Sequence, residues 1–377
     1  MKRTIGEIAE IVMGQSPKSE FYNNNGDGMP FLQGNRTFGD LYPTFDTYTT
    51  NPTKTAKAGD IIMSVRAPVG DLNITPVDMC LGRGVCALRM KNGNQSYLFY
   101  LLKHNVKTLI NRESGTVFGS VNYKDIASLL VDYEENEEEQ RRIGQFLWDI
   151  DQKIETNKAI NNNLMQQAKT IFEAEIVNRT ELPNGWKKSN LVSIADYLNG
   201  LAMQNYRPND DDQGLPVLKI KELRQGSCDA DSERCSSYIK SNYIVNDGDV
   251  IFSWSGSLLV DFWCGGICGL NQHLFKVTST QYAPWFFYSW TNYHLAKFAA
   301  IASAKATTMG HIKRSDIEAA EVIIPSPADY KRIGALIQPL YDLCVALRLE
   351  NRKLAATRDS LLPRLLSGDI DISEAII

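Results

Sequence analysis

Side chains that can pair with the edges of DNA bases recur in polar stretches that follow short apolar runs of the chain. Arginine pairs with guanine, and asparagine or glutamine pairs with adenine. The candidates in the first half of the chain are Gln15, Ser16, Gln33, Asn35, Arg36, Ser64, Arg66 and Arg83. Those in the second half are Gln204, Asn205, Lys219, Lys221, Ser253, Ser255, Asn271, Gln272 and His273. We therefore predict two DNA-contacting surfaces, although any single residue among them could be an ordinary surface group.

Motifs for covalent chemistry are absent from the sequence. It contains no Gly-x-Gly-x-x-Gly, no Walker loop and no Gly-x-Ser-x-Gly. Asn51-Pro52-Thr53 is not the Asn-Pro-Pro-aromatic motif of an adenine methyltransferase, and the four histidines lack metal-ligand spacing. We predict no catalytic residues, no metal site and no cofactor on this chain. An enzyme with an unfamiliar motif, either a nuclease or a methyltransferase, is the rival interpretation.

Composition leaves the partner open but indicates the compartment. The net charge is -4, yet residues 1–132 carry 14 basic against 12 acidic side chains, and residues 133–180 carry 6 against 10. The acidic excess therefore lies largely in one predicted helical segment. The mean hydropathy is -0.26, no apolar run reaches the length of a membrane span, and the N-terminus lacks a signal-peptide pattern. Seven cysteines without a Cys-x-x-Cys pair fit reduced thiols. We predict a cytoplasmic protein with no membrane partner.

The two halves of the chain are repeats of each other. Their alignment keeps an offset of 186 to 190 residues over five matched segments. These are Ile5–Ala9 with Leu191–Ala195, Gly28–Leu32 with Gly214–Leu218, Gly59–Ser64 with Gly248–Ser253, Leu81–Leu88 with Leu270–Val277, and Arg142–Gly144 with Arg332–Gly334. Each repeat combines short β-rich runs with a helix, Ser96–Asn111 in the first and Pro284–Ala300 in the second. The second helix is rich in aromatic residues, and we favour a core-facing role for it over a base-stacking platform.

A long helix with coiled-coil spacing closes each repeat. Apolar residues follow a 4,3 spacing, which is typical of a coiled-coil seam. The first seam is Ile143, Leu147, Ile150, Ile154, Asn157, Asn161, Leu164, Ala168 and Ile171. The second is Ile333, Ile337, Leu340, Cys344, Leu347, Asn351, Leu354, Arg358 and Leu361. We expect these helices, each of about 35–40 residues, to pair antiparallel within the chain, with Asn161 and Asn351 near the centre fixing the register. A homodimeric coiled coil between two chains is the alternative.

Over essentially its whole length the sequence resembles the specificity subunits of bacterial type I restriction–modification systems. The features that carry the resemblance are the duplicated Gly-Asp-[Ile/Val]-Ile-x-Ser motif and Ser64–Gly70. Leu182-Pro183-Asn184-Gly185-Trp186 is similar to the usual entry into a second target-recognition domain, and Leu361–Ile370 resembles the second conserved helix. The first repeat departs from this pattern because it begins almost at residue 1, without a Pro-x-Gly-Trp lead.

The resemblance implies an α+β fold, with two mixed α/β target-recognition domains joined by two long antiparallel coiled-coil helices in an internal two-fold repeat. We place the domains at 1–132 and 183–325 and the helical regions at 133–182 and 326–377. The resemblance also implies double-stranded DNA, two methyltransferase subunits and restriction subunits as partners. S-adenosylmethionine, ATP and magnesium would belong to those subunits. A coiled-coil adaptor that binds only protein is the alternative function.

Overall fold

A computed structural model describes residues 1–110, 119–304 and 310–372 of the chain. The chain divides into two compact units. The first consists of Met1–Glu155 and Lys353–Ile377, and the second of Thr156–Arg352. Each unit therefore contains one globular part together with segments of both long helices.

Short strands form most of the globular part of the first unit. They are β1 (Lys2–Thr4), β2 (Ala9–Met13), β3 (Tyr22–Asn23), β4 (Met29–Leu32), β5 (Tyr48–Thr49), β6 (Thr55–Ala56), β7 (Ile61–Ser64), β8 (Leu72–Ile74), β9 (Met79–Leu81), β10 (Val85–Met90) and β11 (Leu130–Asp132). In the described residues they make three sheets, with strand orders β1-β11, β2-β10-β7-β8 and β3-β5-β4-β9-β6. Strand β7 is fully buried and accordingly reads as a continuous apolar run, Ile-Ile-Met.

The second unit has the same arrangement of strands. They are β12 (Lys187–Asn190), β13 (Asp196–Asn199), β14 (Leu215–Leu218), β15 (Arg234–Cys235), β16 (Ile244–Val245), β17 (Val250–Ser253), β18 (Leu259–Phe262), β19 (Cys268–Leu270), β20 (Leu274–Thr278) and β21 (Glu321–Ile324). The strand orders are β12-β21, β13-β20-β17-β18 and β15-β14-β19-β16. Each sheet of the first unit thus has a counterpart here. The one parallel pair of each third sheet also matches, β4 with β9 and β14 with β19.

The α-helices of the described residues follow the same order in both halves, except that α6 of the second half has no counterpart in the first. They are α1 (Ile5–Ile8), α2 (Gln95–Ile110), α3 (Tyr123–Ala127), α4 (Glu137–Phe172), α5 (Leu191–Ile194), α6 (Ile220–Gln225), α7 (Pro284–Ala304), α8 (Arg314–Glu318) and α9 (Pro327–Ser367). The predicted end of α2 at Asn111 lies outside the described residues. The prediction of a core-facing aromatic helix is confirmed, because Trp285, Phe286 and Trp290 of α7 are at most 2 % exposed.

Both long helices begin where local chemistry satisfies their first amide groups. The Asn136 side chain accepts a hydrogen bond from the Glu138 amide at 2.9 Å, and three glutamates occupy the first turn of α4, where the helix dipole favours negative charge. At α9, Ser326 precedes Pro327, and proline is favoured at the first helical position because no amide partner is needed there. The helices contain 36 and 41 residues, as their periodicity predicts.

Within the second unit, segments of α4 and α9 pack against each other in opposite directions. Asn157 donates to the Asn351 side-chain oxygen at 2.8 Å, and the Cys344 thiol donates to the Asn161 carbonyl oxygen at 3.8 Å. Residue numbers thus rise along one helix as they fall along the other. The amide partner of Asn351 is Asn157, one turn before the predicted Asn161. Asn161 is itself buried, at 6 % exposure. The sequence periodicity placed all three residues in the seam but could not decide which two would meet.

Two matched glycines allow each long helix to approach the helix of its own globular part. A Cβ on Gly144 would lie 2.6 Å from the Tyr97 amide nitrogen of α2 and from the Ser96 hydroxyl oxygen. A Cβ on Gly334 would lie 2.9 Å from the Trp285 indole nitrogen of α7. The repeated Arg-Ile-Gly segment therefore marks the same close helix contact in both units.

We expect Gly144→Ala to lower the free energy of unfolding by about 1–2 kcal/mol, even though alanine favours helix, because the added methyl group overpacks against backbone. Chemical denaturation followed by circular dichroism measures the change. Gly34→Ala is the control, since a Cβ there has no neighbour within 4 Å. Equal stability of Gly144→Ala and the wild type would contradict the close contact.

Candidate nucleic-acid interface

Four segments of the first unit meet around the loop between β9 and β10. The Gln15 amide donates to the Leu81 carbonyl oxygen at 2.9 Å, and the Gly82 amide donates to the Leu32 carbonyl oxygen at 2.7 Å. The Val65 amide donates to the Gly84 carbonyl oxygen at 2.9 Å. We call this meeting of residues 14–16, 32–34, 64–66 and 81–85 the first crossing. These backbone hydrogen bonds fix the positions of the Cα atoms that carry the side chains.

Glycines make the first crossing possible because its backbones approach more closely than a Cβ would allow. A Cβ on Gly82 would lie 2.7 Å from both the Gln33 Cα and the Leu32 carbonyl oxygen. A Cβ on Gly14 would lie 2.6 Å from the Val85 carbonyl oxygen and closer still to that of Gly82. Real Cβ atoms essentially never come within 3.0 Å of such neighbours. The predicted polar residues are thus carried on a rigid, closely packed scaffold.

The first crossing brings five of the predicted site residues together. Gln15, Gln33, Arg66 and Arg83 are exposed there, and the Ser16 hydroxyl accepts a hydrogen bond from the Arg83 amide at 3.2 Å. No described residue supplies an ion-pair partner to either arginine. The crossing therefore presents two uncompensated guanidinium groups beside two amide side chains, which is the chemistry of base and phosphate recognition.

Two other predicted residues of the first unit, Asn35 and Arg36, have their polar groups engaged elsewhere. The Asn35 side chain donates to the Asp71 carboxylate at 2.5 Å. The Nη2 atom of Arg36 donates to both carboxylate oxygens of Asp46, at 2.8 and 2.9 Å, and this arginine lowers the pKa of the Asp46 carboxyl. Neither pair is buried, so a DNA ligand could compete for both of these side chains.

Ser64 was wrongly predicted to contact DNA. It is fully buried, and its hydroxyl donates to the Pro68 carbonyl oxygen at 2.8 Å and accepts from the Asp71 amide at 2.9 Å. Its counterpart Ser253 is equally buried, with its hydroxyl 3.0 Å from the Ser257 carbonyl oxygen. Serine recurs at this motif position because it closes the turn after the buried strand.

A second crossing in the second unit repeats the backbone bonds of the first. The Leu201 amide donates to the Leu270 carbonyl oxygen at 2.9 Å, and the Asn271 amide donates to the Leu218 carbonyl oxygen at 3.2 Å. Ser255 forms a β-bridge with His311, as Arg66 does with Ser120. We define the second crossing as residues 200–202, 217–219, 253–255 and 270–274. Two of the three backbone hydrogen bonds that define the first crossing thus have counterparts here, while the side chains differ.

The second crossing gathers part of the predicted set. His273 is exposed and Gln272 is half-buried, whereas the side chain of Asn271 is buried and accepts from the His273 amide at 3.2 Å. The hydroxyl of the buried Ser255 lies 3.2 Å from the Nδ1 atom of the exposed His273 ring. Asn271 and Ser255 therefore position His273, and their burial makes the direct contacts predicted for them wrong.

The remaining predicted residues of the second unit lie outside this cluster or are ion-paired. Lys219 follows β14 and binds Glu233 at 2.5 Å, which lowers the pKa of the Glu233 carboxyl, and Lys221 binds Asp229 at 3.2 Å. Gln204 and Asn205 are exposed on a 3₁₀ turn that spans Met203–Asn205. These four stay predictions, with weaker geometric support than Gln272 and His273.

Sequence reasoning missed Trp254 of the second crossing and His311, which lies beside it. The Trp254 ring lies 6.1 Å from that of His273 and 6.2 Å from that of His311, and its indole nitrogen donates to the Asn199 side chain at 3.0 Å. Trp254 directly follows the duplicated Ser253 motif position, and His311 follows the matched Gly310. A comparison of the two repeats residue by residue at these positions would have found them.

The described residues contain no group of three or more histidine, cysteine, aspartate or glutamate side chains that could hold a metal ion. All seven cysteines are free thiols. No helix in the described part of the chain is both long and apolar enough to cross a membrane.

Comparisons with known proteins agree with this picture. The family profile described as the type I restriction modification DNA specificity domain matches twice, at residues 1–166 and 183–356. A Methanocaldococcus jannaschii protein, provisionally named the specificity subunit of the type I restriction enzyme MjaX, is 36% identical over 187 residues, which cover 45% of this chain and 44% of that protein. The MjaIX specificity subunit of the same organism is 25% identical over 99% of this chain and 94% of its own length.

A solved structure shows the same fold. The crystal structure of the type I restriction–modification S subunit from M. genitalium superposes with a TM-score of 0.63 at 14% identity, and the match covers 97% of this chain and 95% of that one. Two family matches, one on each half, account for most of the sequence. The chain therefore belongs to the family of type I restriction–modification DNA specificity subunits.

Proposed function

We propose that the chain gives a type I restriction–modification complex its DNA sequence specificity by binding a bipartite, asymmetric site. The first crossing contacts one half-site and the second crossing contacts the other. The observation that carries this proposal is the pair of crossings, in which one backbone arrangement displays different base-pairing side chains. Such a pair suits the recognition of two different short sequences.

The target-recognition domains of this proposal are residues 1–132 and 183–325. Residues 133–182 and 326–377 form the helical regions, paired as an antiparallel coiled coil in an internal two-fold repeat. The matched strand orders and the Asn157–Asn351 contact support this arrangement. The distance between half-sites would then follow from the lengths of the helices.

The partners in this proposal are double-stranded DNA, two methyltransferase subunits and, for cleavage, restriction subunits. The chain itself is the non-catalytic recognition component. S-adenosylmethionine, ATP and magnesium act on those partners and not on this chain. The alternative, a coiled-coil adaptor without DNA specificity, is not favoured, because the family that matches both halves is defined by DNA specificity.

The test is to co-express the chain with its neighbouring methyltransferase gene and to map methylated adenines across the host DNA. We expect methylation of one bipartite motif that disappears when the chain is omitted. The same methylation pattern with and without the chain would contradict the proposal and favour the coiled-coil adaptor without DNA specificity. A complex that forms but has no sequence-selective DNA affinity would lead to the same conclusion.

A further inference from the structure

The two crossings can be superimposed position by position through their backbone bonds. Ser64 of β7 pairs with Val85 of β10, and Ser253 of β17 pairs with Leu274 of β20. Beyond these pairs, the Val121 amide donates to the Val65 carbonyl oxygen at 3.0 Å, as the Ile312 amide does to that of Trp254 at 3.1 Å. Arg66 directly follows Val65, and Ser255 directly follows Trp254. Arg66 therefore corresponds to Ser255.

The loop at the centre of each crossing gives a second correspondence. The Val85 amide donates to the Gly82 carbonyl oxygen at 3.2 Å, and the Leu274 amide donates to the Asn271 carbonyl oxygen at 3.0 Å. Arg83 and Gln272 are thus the second residues of equivalent turns. Two arginines of one unit are replaced by a serine and a glutamine at the same two backbone positions of the other.

Arg66 and Arg83 also differ from the other described arginines within residues 1–132. Arg3 binds Glu135, Arg36 binds Asp46 and Arg89 binds Asp60, each with an N···O distance of 2.7–3.1 Å. Neither Arg66 nor Arg83 has a carboxylate partner among the described residues. Both are exposed, and the segments that carry them are joined by the Val65–Gly84 hydrogen bond. The two arginine side chains thus start from neighbouring backbone segments, and neither has a carboxylate partner among the described residues.

We infer that Arg66 and Arg83 recognise guanine in the half-site bound by the first unit, and that Gln272, at the backbone position equivalent to Arg83, is a specificity residue of the second unit. A guanidinium donates two parallel hydrogen bonds to the O6 and N7 atoms of guanine, and no other base presents that pair of acceptors in the major groove. At the second crossing Gln272 offers an amide, which pairs with adenine. The inference rests on the proposed function and adds which bases are recognised and which residues recognise them.

The experiment uses the full chain in its complex with the methyltransferase subunits. Adenine methylation is mapped across the host DNA for the wild type, for Arg83→Lys and Arg66→Lys, and for Arg83→Gln with Arg66→Ser. Lysine keeps the charge for a phosphate but loses the fork that fits guanine. We expect the lysine variants to relax a guanine position of one half-site, with about 10- to 100-fold less discrimination, and to leave the other half-site unchanged.

The reciprocal variant, Gln272→Arg, is expected to alter only the other half-site. Unaltered motifs in the lysine variants, or a weakening that is uniform over all sequences, would overturn the inference and show phosphate contacts instead. Thermal unfolding of each purified complex shows whether a lost motif reflects a lost fold, and the lysine variants keep the test decisive if the double variant does not fold. A wild-type complex without any chain-dependent motif would overturn the proposed function and this inference together.

Discussion

Replacement of Arg358 by methionine is expected to lower the free energy of unfolding of the chain by about 3 kcal/mol, the lower end for a broken buried ion pair. Among the described residues, the buried Asp151 carboxylate then keeps only Lys103 as a cationic partner, at 3.8 Å. Arg358 of α9 forms an ion pair with Asp151 of α4 within the first unit, and their side chains are 13% and 8% exposed. The Tyr100 hydroxyl lies 2.7 Å from the other oxygen of Asp151. Burial raises the pKa of Tyr100, so its hydroxyl stays a donor to the carboxylate.

A double variant distinguishes the cost of an orphaned charge from the contribution of the pair. Asp151→Leu together with Arg358→Met removes both charges, and we expect it to recover most of the lost stability, because well-packed apolar residues often replace buried ion pairs without loss. Tyr100 would keep the Leu147 carbonyl oxygen as an acceptor at 2.8 Å.

Urea unfolding of the purified chain measures both effects. Arg364→Met is the matched control, because Arg364 lies on the same helix, is exposed, and has no side-chain partner among the described residues. It should shift stability by no more than about 0.5 kcal/mol. A single Arg358→Met variant as stable as this control would show that the pair is dispensable.

The second large effect is expected from alanine at Gly14 of the first crossing and at Gly200 of the second. Gly14→Ala should destabilise the first unit by about 3 kcal/mol, the upper end for overpacking, because its Cβ meets backbone carbonyl groups that cannot rotate away. A Cβ on Gly200 would lie 2.5 Å from the Asn271 carbonyl carbon and closer still to two oxygens. Any relief of the clash must move the loop that carries Arg83 or Gln272.

The two variants should therefore affect different halves of the DNA site. Under the proposed function, methylation mapping of complexes with Gly14→Ala should show lost selectivity in the half-site of the first unit, and Gly200→Ala in that of the second. If both variants kept the wild-type motif at full methylation, the crossings would not be where the chain contacts bases.

The strands and the long helices could be predicted from the sequence because their signals are local. Apolar residues with a 4,3 spacing require a helix buried along one side, and Val250–Ser253 is apolar because both faces of its strand are covered. The aromatic run of α7 likewise indicated burial. Matched glycines marked the close contacts, although the sequence did not show what each would approach.

Tertiary structure decided which polar side chains remain available. Ser64 and Arg66 are two residues apart in one motif. The Ser64 hydroxyl is buried and forms hydrogen bonds within a turn, whereas Arg66 is exposed. Arg358 stood at a seam position where the periodicity called for an apolar residue, and only the approach of Asp151 from the other helix explains it. Spacing along the chain specifies which face a residue occupies. Which group lies opposite depends on contacts between segments far apart in sequence, and those form only when the chain is folded.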